Sequence, residues 1–310
     1  MTGLLVHIGY HKTGTSLLQD RLFCRGDLGF QRLEDDRRQI FQLFVDYAPF
    51  ERPGAAQRAL LAAARERAAE AGQTLVISHE RLSGYPASGG FDARLIAERI
   101  AALAPDAKIL IAVREQASMI RSYYLQYITD GGDLPFEKFV SRPDPRLHRV
   151  PGFDARFYEY DACVAEYQRL FGAEKVLTFP FERFRSDGLG LAADIVRFAS
   201  AAGASAPIPA DIFDDEVNAA NPALMQQVRR LSNGLLSRNQ LSNYGIVAIP
   251  RLSYGFRKIA PLFEPFRFLD SPMNTGLQRK ISAFVGERYS PSNRRLEVLT
   301  GLDLKGFRYT

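Results

Sequence analysis

Gly9-Tyr10-His11-Lys12-Thr13-Gly14-Thr15-Ser16 is the run whose residue types and spacing most directly imply chemistry. It follows a short apolar stretch and leads into Leu17, Leu18 and Leu22 at helical spacing. A glycine-containing turn that ends at a helix N-terminus presents unbonded backbone N–H groups and the positive end of the helix dipole, which makes a site for phosphate or sulfate. Lys12 adds a charge, and Thr15 and Ser16 add hydroxyl donors. Against the nucleoside-triphosphate loop Gly-x-x-x-x-Gly-Lys-Ser/Thr, the residues Gly9, Gly14 and Ser16 fit. Thr15, however, stands where that loop requires lysine, and Lys12 lies three residues earlier. The bland alternative is a helix capped by Thr13 beside a chance lysine.

A second anion site is implied by the apolar run Lys108–Val113, which ends in Arg114. A Walker-type ATPase would place a metal-binding aspartate at such a strand end, and none of the clear apolar runs ends that way. Arginine there puts a guanidinium at the carboxyl edge of a sheet, where α/β proteins bind ligands. Ser122 follows eight residues on, within a stretch of helical pattern, and arginine with serine suits a phosphate monoester. The alternative is a structural ion pair of Arg114 with Glu115 or Glu80.

These residues need a scaffold, and the chain supplies one. Leu4–Gly9, Thr74–Ser78 and Lys108–Val113 are unbroken apolar runs, with Lys175–Phe179 a weaker fourth. Unbroken rather than alternating runs are expected of parallel strands covered on both faces. Helical patterns lie between them: an Ala/Arg/Glu-rich stretch from Ala55 to Ala71 that stops at Gly72, a stripe of Ile96, Ile100 and Leu103, and a helix over Gln116–Ile128. The pattern predicts an α/β fold, a parallel sheet flanked by helices. Beyond about residue 185 the strand signal fades. Asn221-Pro222 predicts a helix start running to about Leu236, the stretch 241–275 reads as irregular, and helices close the chain. No linker divides it, so one domain over residues 1–310 is expected.

Composition narrows the class. At 310 residues, 46% apolar and 24% charged, the chain can bury a large core without staples. Two cysteines, Cys24 and Cys163, make no disulfide framework. No window carries the roughly 20 apolar residues of a membrane span, and no leader precedes the first run, so a soluble, cytoplasmic protein without an integral membrane segment is expected. The net charge of +5 is mild and the arginines are scattered, so no nucleic-acid partner is expected and an anionic small ligand accounts for it equally well. No His/Cys set has zinc spacing and no acidic cluster suggests a bound metal; none is expected. His7 lies within the first run as a core residue, and His148 in an Arg/Pro-rich loop.

Together the two anion sites resemble the nucleotide-binding elements of sulfotransferases that use 3′-phosphoadenosine 5′-phosphosulfate (PAPS). That family's loop Pro-Lys-Ser/Thr-Gly-Ser/Thr-Ser/Thr is matched by His11-Lys12-Thr13-Gly14-Thr15-Ser16, with His11 in place of proline. Its arginine after an apolar strand and serine eight residues on, the pair that holds the 3′-phosphate, are matched by Arg114 and Ser122. Phe179-Pro180-Phe181-Glu182 resembles the Tyr-Glu segment near the adenine pocket, with Phe181 for tyrosine; an aromatic core residue is an equal reading. The tail from Asn218 to Leu231 and from Tyr289 to Leu304 is similar to the helical C-terminal region of bacterial members. The family's glycine-rich segment near the end has no counterpart here.

The resemblance implies a P-loop-like fold, PAPS as sulfuryl donor, no metal, and a helical C-terminal portion over the acceptor cleft. The acceptor would be a carbohydrate hydroxyl, on a glycan or glycolipid. It also needs a base for the acceptor proton, with a pKa near working pH. In Ile77-Ser78-His79-Glu80, His79 matches the histidine base of cytosolic members and Glu80 the glutamate of bacterial and polysaccharide-type ones. Imidazole titrates near neutrality whereas a carboxylate needs burial to do so, which places His79 slightly ahead. A nucleotide kinase with a displaced lysine, and a non-enzymatic binder of sulfated or phosphorylated ligands, are the rival readings of the same cradle.

Overall fold

The strands are β1 (Leu4–His7), β2 (Phe30–Arg32), β3 (Thr74–Ser78), β4 (Lys108–Val113) and β5 (Val176–Pro180). They form one sheet in the order β2-β3-β1-β4-β5, with every neighbouring pair parallel. The computed structural model describes residues 3–33, 36–142, 144, 151–199, 207–214, 221–236, 241 and 252–309. Every residue of β1 and β3, and all of β4 after Lys108, is buried, as the unbroken apolar runs require. β1 stops at His7, two residues short of Gly9, because the chain there begins to turn; Ile8 N–H still bonds the Leu110 carbonyl at 3.0 Å. β2 has only three residues, of which Phe30 alone is buried, so it shows no apolar run in the sequence.

The strand order places the site. From β1 the chain goes to β2 and β3 on one side and afterwards crosses to β4 and β5 on the other. The carboxyl end of β1 is therefore where strand order reverses, the place where open parallel sheets bind ligands.

By their contacts the residues form two compact units. The first, Met1–Glu115, Arg156–Asp215 and Tyr289–Thr310, holds the sheet. One core cluster joins Leu5, Val76, Leu110 and Phe179 of the strands to Leu18, Leu22, Leu191 and Ile195 of helices. The helix Ala55–Glu70 ends as expected before Gly72, whose φ of 65° is the left-handed conformation glycine adopts freely. The helix Ser290–Thr300 packs on Tyr160–Phe171 through Asp161, which accepts from Ser292 and Arg295.

The second unit, Gln116–Ala155 and Glu216–Arg288, is helical. Its helix Gln116–Thr129 is joined to Ala223–Leu236 by Arg229, which donates to the Thr129 carbonyl at 3.0 Å, and by Asn233, which donates to the Ile128 and Gly132 carbonyls. The Ala223 N–H is capped from a distance by the Asp270 carboxylate at 2.7 Å, so the helix opens one residue after Pro222. The expectation of irregular chain over 241–275 is corrected where the structure describes it. Leu252–Ile259 is α-helical, Ala260–Leu269 is a 3₁₀-helix and Asp270 begins the helix to Val285. A 3₁₀-helix repeats every three residues, so its apolar positions show no 3.6-residue period.

Candidate functional site

Four strand ends meet at one edge of the first unit, because the strands are parallel: the Gly9–Ser16 loop after β1, His79-Glu80 after β3, Arg114 after β4 and Phe181-Glu182 after β5. In the loop, Lys12 and Gly14 are both left-handed, with φ of 66° and 84°. Gly14 is the N-cap of the helix that opens at Thr15–Leu17 and continues as a π-helical turn over Leu18–Leu22. A Cβ on Gly14 would come within 2.6 Å of the Phe184 ring, so both its conformation and its packing require glycine. Thr13 does not cap the helix; its hydroxyl donates to the Tyr10 carbonyl and stiffens the turn from within. The Thr15 hydroxyl is buried and has no hydrogen-bond partner among the described residues, while Lys12 and Ser16 are exposed. A buried hydroxyl costs free energy unless something bonds to it. An anion seated on the loop would supply that acceptor.

Arg114 is built into the loop. Its Nη1 donates to the Lys12 carbonyl at 2.9 Å, and its guanidinium lies 4.5 Å from the centre of the Phe181 ring. Tyr160 donates to the Arg114 carbonyl at 2.8 Å. Glu182 accepts from the Glu115 N–H at 3.1 Å and from the Tyr309 hydroxyl at 3.0 Å, pinning the turn after β4 to the end of the chain. Burial lowers the Arg114 pKa, opposed by Glu182 and other neighbours, and a guanidinium stays charged throughout. Phe181 thus lies beneath Arg114 and beside Phe184. Tyr160, Tyr309 and Glu182 were not legible as parts of this frame, because their partners lie 46 to 127 residues away.

After β3, His79 is extended and caps the short 3₁₀-helix Glu80–Ser83, its Nδ1 accepting from the Arg81 N–H at 3.0 Å. A neutral imidazole has one N–H, so this bond puts the proton on Nε2. Glu80 is half-buried, and its charge acts on His11, as do those of His79, Arg81 and Lys12. The loop and this strand end are therefore electrostatic neighbours. Burial pushes the His11 pKa down to about 4, outweighing Glu80, so His11 is neutral at pH 7. Arg81 is held by Asp92 in a part-buried ion pair.

His7 sits directly under the loop. It is fully buried, its Nδ1 is 2.8 Å from the Ser78 hydroxyl, and Gln19 donates to the Ser78 carbonyl at 2.6 Å. A Cβ on Gly9 would come within 2.5 Å of His7 Nε2, so glycine lets the loop close over the ring. These contacts tie β1, β3 and the loop helix together. Burial drops the His7 pKa to about 3. The unfolded chain binds a proton near pH 6.5 that the native ring refuses until about pH 3. Between these limits each pH unit of acidification costs about 1.4 kcal/mol of stability from this group alone. His7→Gln is expected to be less stable at pH 7 but to lose stability less steeply down to pH 4. Urea midpoints measured against pH check this, and parallel curves for the two proteins would refute it.

Ser122 is half-buried in the helix Gln116–Thr129 of the second unit. His148 lies outside the described residues. Among the described residues no group of three or more His, Cys, Asp or Glu side chains is arranged to hold a metal, and no helix is long and apolar enough to cross a membrane.

No family model matches the sequence, and no curated protein matches it. Among solved structures the chain is similar to a sulfotransferase from Alicyclobacillus acidocaldarius, with 22% identity over 75% of this chain and 94% of that one at a TM-score of 0.47. It is also similar to a mouse sulfotransferase in complex with PAP, with 14% identity over 91% of this chain and 89% of that one at a TM-score of 0.34.

Proposed function

We propose that the protein is a PAPS-dependent sulfotransferase that moves a sulfuryl group to a hydroxyl acceptor, a carbohydrate on a glycan or glycolipid. The observation that carries this reading is the loop after β1. It combines a helix N-terminus behind a left-handed glycine, a buried Thr15 hydroxyl without a partner, an exposed Lys12, and a guanidinium bonded to the Lys12 carbonyl. The donor supplies an activated sulfuryl group on a phosphate. In this reading the loop amides, Thr15 and Ser16 bind its 5′ end, and Lys12 neutralises charge on the departing phosphate oxygen. Thr13 and Gly14 hold the loop's shape, and neutral His11 occupies the place of the family's proline. Arg114, oriented by Phe181 and the Lys12 carbonyl, binds the 3′-phosphate, and Ser122 is assigned to the same phosphate on its sequence spacing.

For the acceptor proton, the His79 cap reverses the order of candidates. The base is assigned to Glu80, because the lone pair on His79 Nδ1 is already used by the Arg81 N–H and Nε2 carries the ring's proton.

Nucleotide choice tests the reading. In calorimetry, 3′-phosphoadenosine 5′-phosphate is expected to bind at least about tenfold more tightly than AMP, as expected for one added charge-assisted contact. Arg114→Ala should erase most of that difference. Equal affinities would remove the 3′-phosphate site, and magnesium-dependent ATP turnover would favour a kinase.

A further inference from the structure

The basic excess is not evenly spread. Residues 216–288 hold ten Lys and Arg against four Asp and Glu, a net +6, which leaves −1 for the rest of the chain. Within this stretch the 3₁₀-helix Ala260–Leu269 repeats every three residues, so positions three apart lie above one another on one face. Ile259 at its N-cap, then Leu262, Pro265 and Phe268, form such a row, and all four are exposed. Leu262 is 70% and Phe268 72% exposed, and Phe266 beside them is 43% exposed. Glu264 and Asp270, two of the four carboxylates of the stretch, share Arg267, and exposed Lys258 next to the row offsets the one negative charge this triad leaves over, so the excess of six lies elsewhere in the stretch.

We infer that this ridge docks the protein on an anionic lipid surface, the apolar row entering the headgroup boundary and the net positive charge of the 216–288 stretch drawing it to the lipid. An apolar ridge within a cationic segment is the composition of interfacial elements. A second copy is a poorer occupant, because a two-fold interface would set a +6 segment against itself. Aliphatic Leu262, Ile259 and Pro265 suit acyl chains, not stacked bases. The inference stands independently of the sulfuryl-transfer reading.

The test floats the full chain with vesicles of phosphatidylcholine alone or mixed with phosphatidylglycerol. Binding to the mixed vesicles is expected, weaker on phosphatidylcholine, and reduced by salt. The Leu262→Ser/Phe268→Ser variant should partition at least about tenfold less, the scale of losing two large apolar contacts, with an unchanged circular dichroism spectrum. The chain contains no tryptophan, so Phe268→Trp provides a single emission signal that should shift to the blue on mixed vesicles even if the serine variant folds poorly. Absence of flotation, emission that stays unshifted when the protein floats, or a wild-type dimer abolished by the serine variant would each overturn the proposal.

Discussion

Lys12→Ala is expected to lower sulfuryl-transfer turnover by roughly 10²–10³-fold, the scale of removing one preorganised donor to a developing negative charge. The apo protein should melt near the wild-type temperature, because the Lys12 side chain is exposed and alanine keeps the carbonyl that accepts from Arg114. The backbone permits a sharper test. Lys12 sits at φ 66°, which costs a non-glycine residue roughly 1–2 kcal/mol. Lys12→Gly removes both the ammonium and that strain. It should therefore be as inactive as the alanine variant yet more stable, a combination that general damage to the loop cannot produce. Turnover and thermal unfolding of the two variants, measured together, decide the matter. Near wild-type turnover in either would refute the role. A non-glycine residue in this conformation is a mark of functional positions, and the role proposed for the Lys12 side chain accounts for it.

The loop after β1 was legible in the sequence because its geometry is local. Gly9 through Ser16 carries strand exit, turn and helix start in eight consecutive residues, and β3 and β4 fall on the apolar runs that announced them. What the sequence could not show are relations made by the sheet. The grip of Arg114 on the Lys12 carbonyl spans 102 residues, and the bond between Tyr309 and Glu182 spans 127. β2 was hidden because three residues with one buried side chain make no pattern. Ala260–Leu269 looked irregular because its two prolines and its period of three fit neither a strand nor an α-helix. The role of His7 was half visible: burial follows from its place in an apolar run, but its seat beneath Gly9 does not.

The largest effect is expected at Glu80. Glu80→Gln keeps the shape of the side chain, removes its basicity and should cost about 10²–10⁴-fold in turnover, the range of a positioned general base. His79→Ala should behave differently. It removes the Nδ1 acceptor that caps Arg81, and losing such a cap costs about 1 kcal/mol of stability, with a modest loss of activity as the Glu80–Ser83 turn loosens. His79→Asn offers another acceptor for the same N–H and should recover part of that stability, which a proton-transfer role for the ring would not allow in turnover. The pH profile separates the two residues independently. If Glu80 takes the acceptor proton, the acid limb of the rate persists in both His79 variants and is absent from the residual activity of Glu80→Gln. If the limb instead vanishes with His79, the ring must surrender its cap during turnover. The 3.0 Å bond from Arg81 would then have to break as the acceptor binds. Hydrogen exchange at the Arg81 amide would report this directly, as protection that is lost when acceptor and nucleotide are present together.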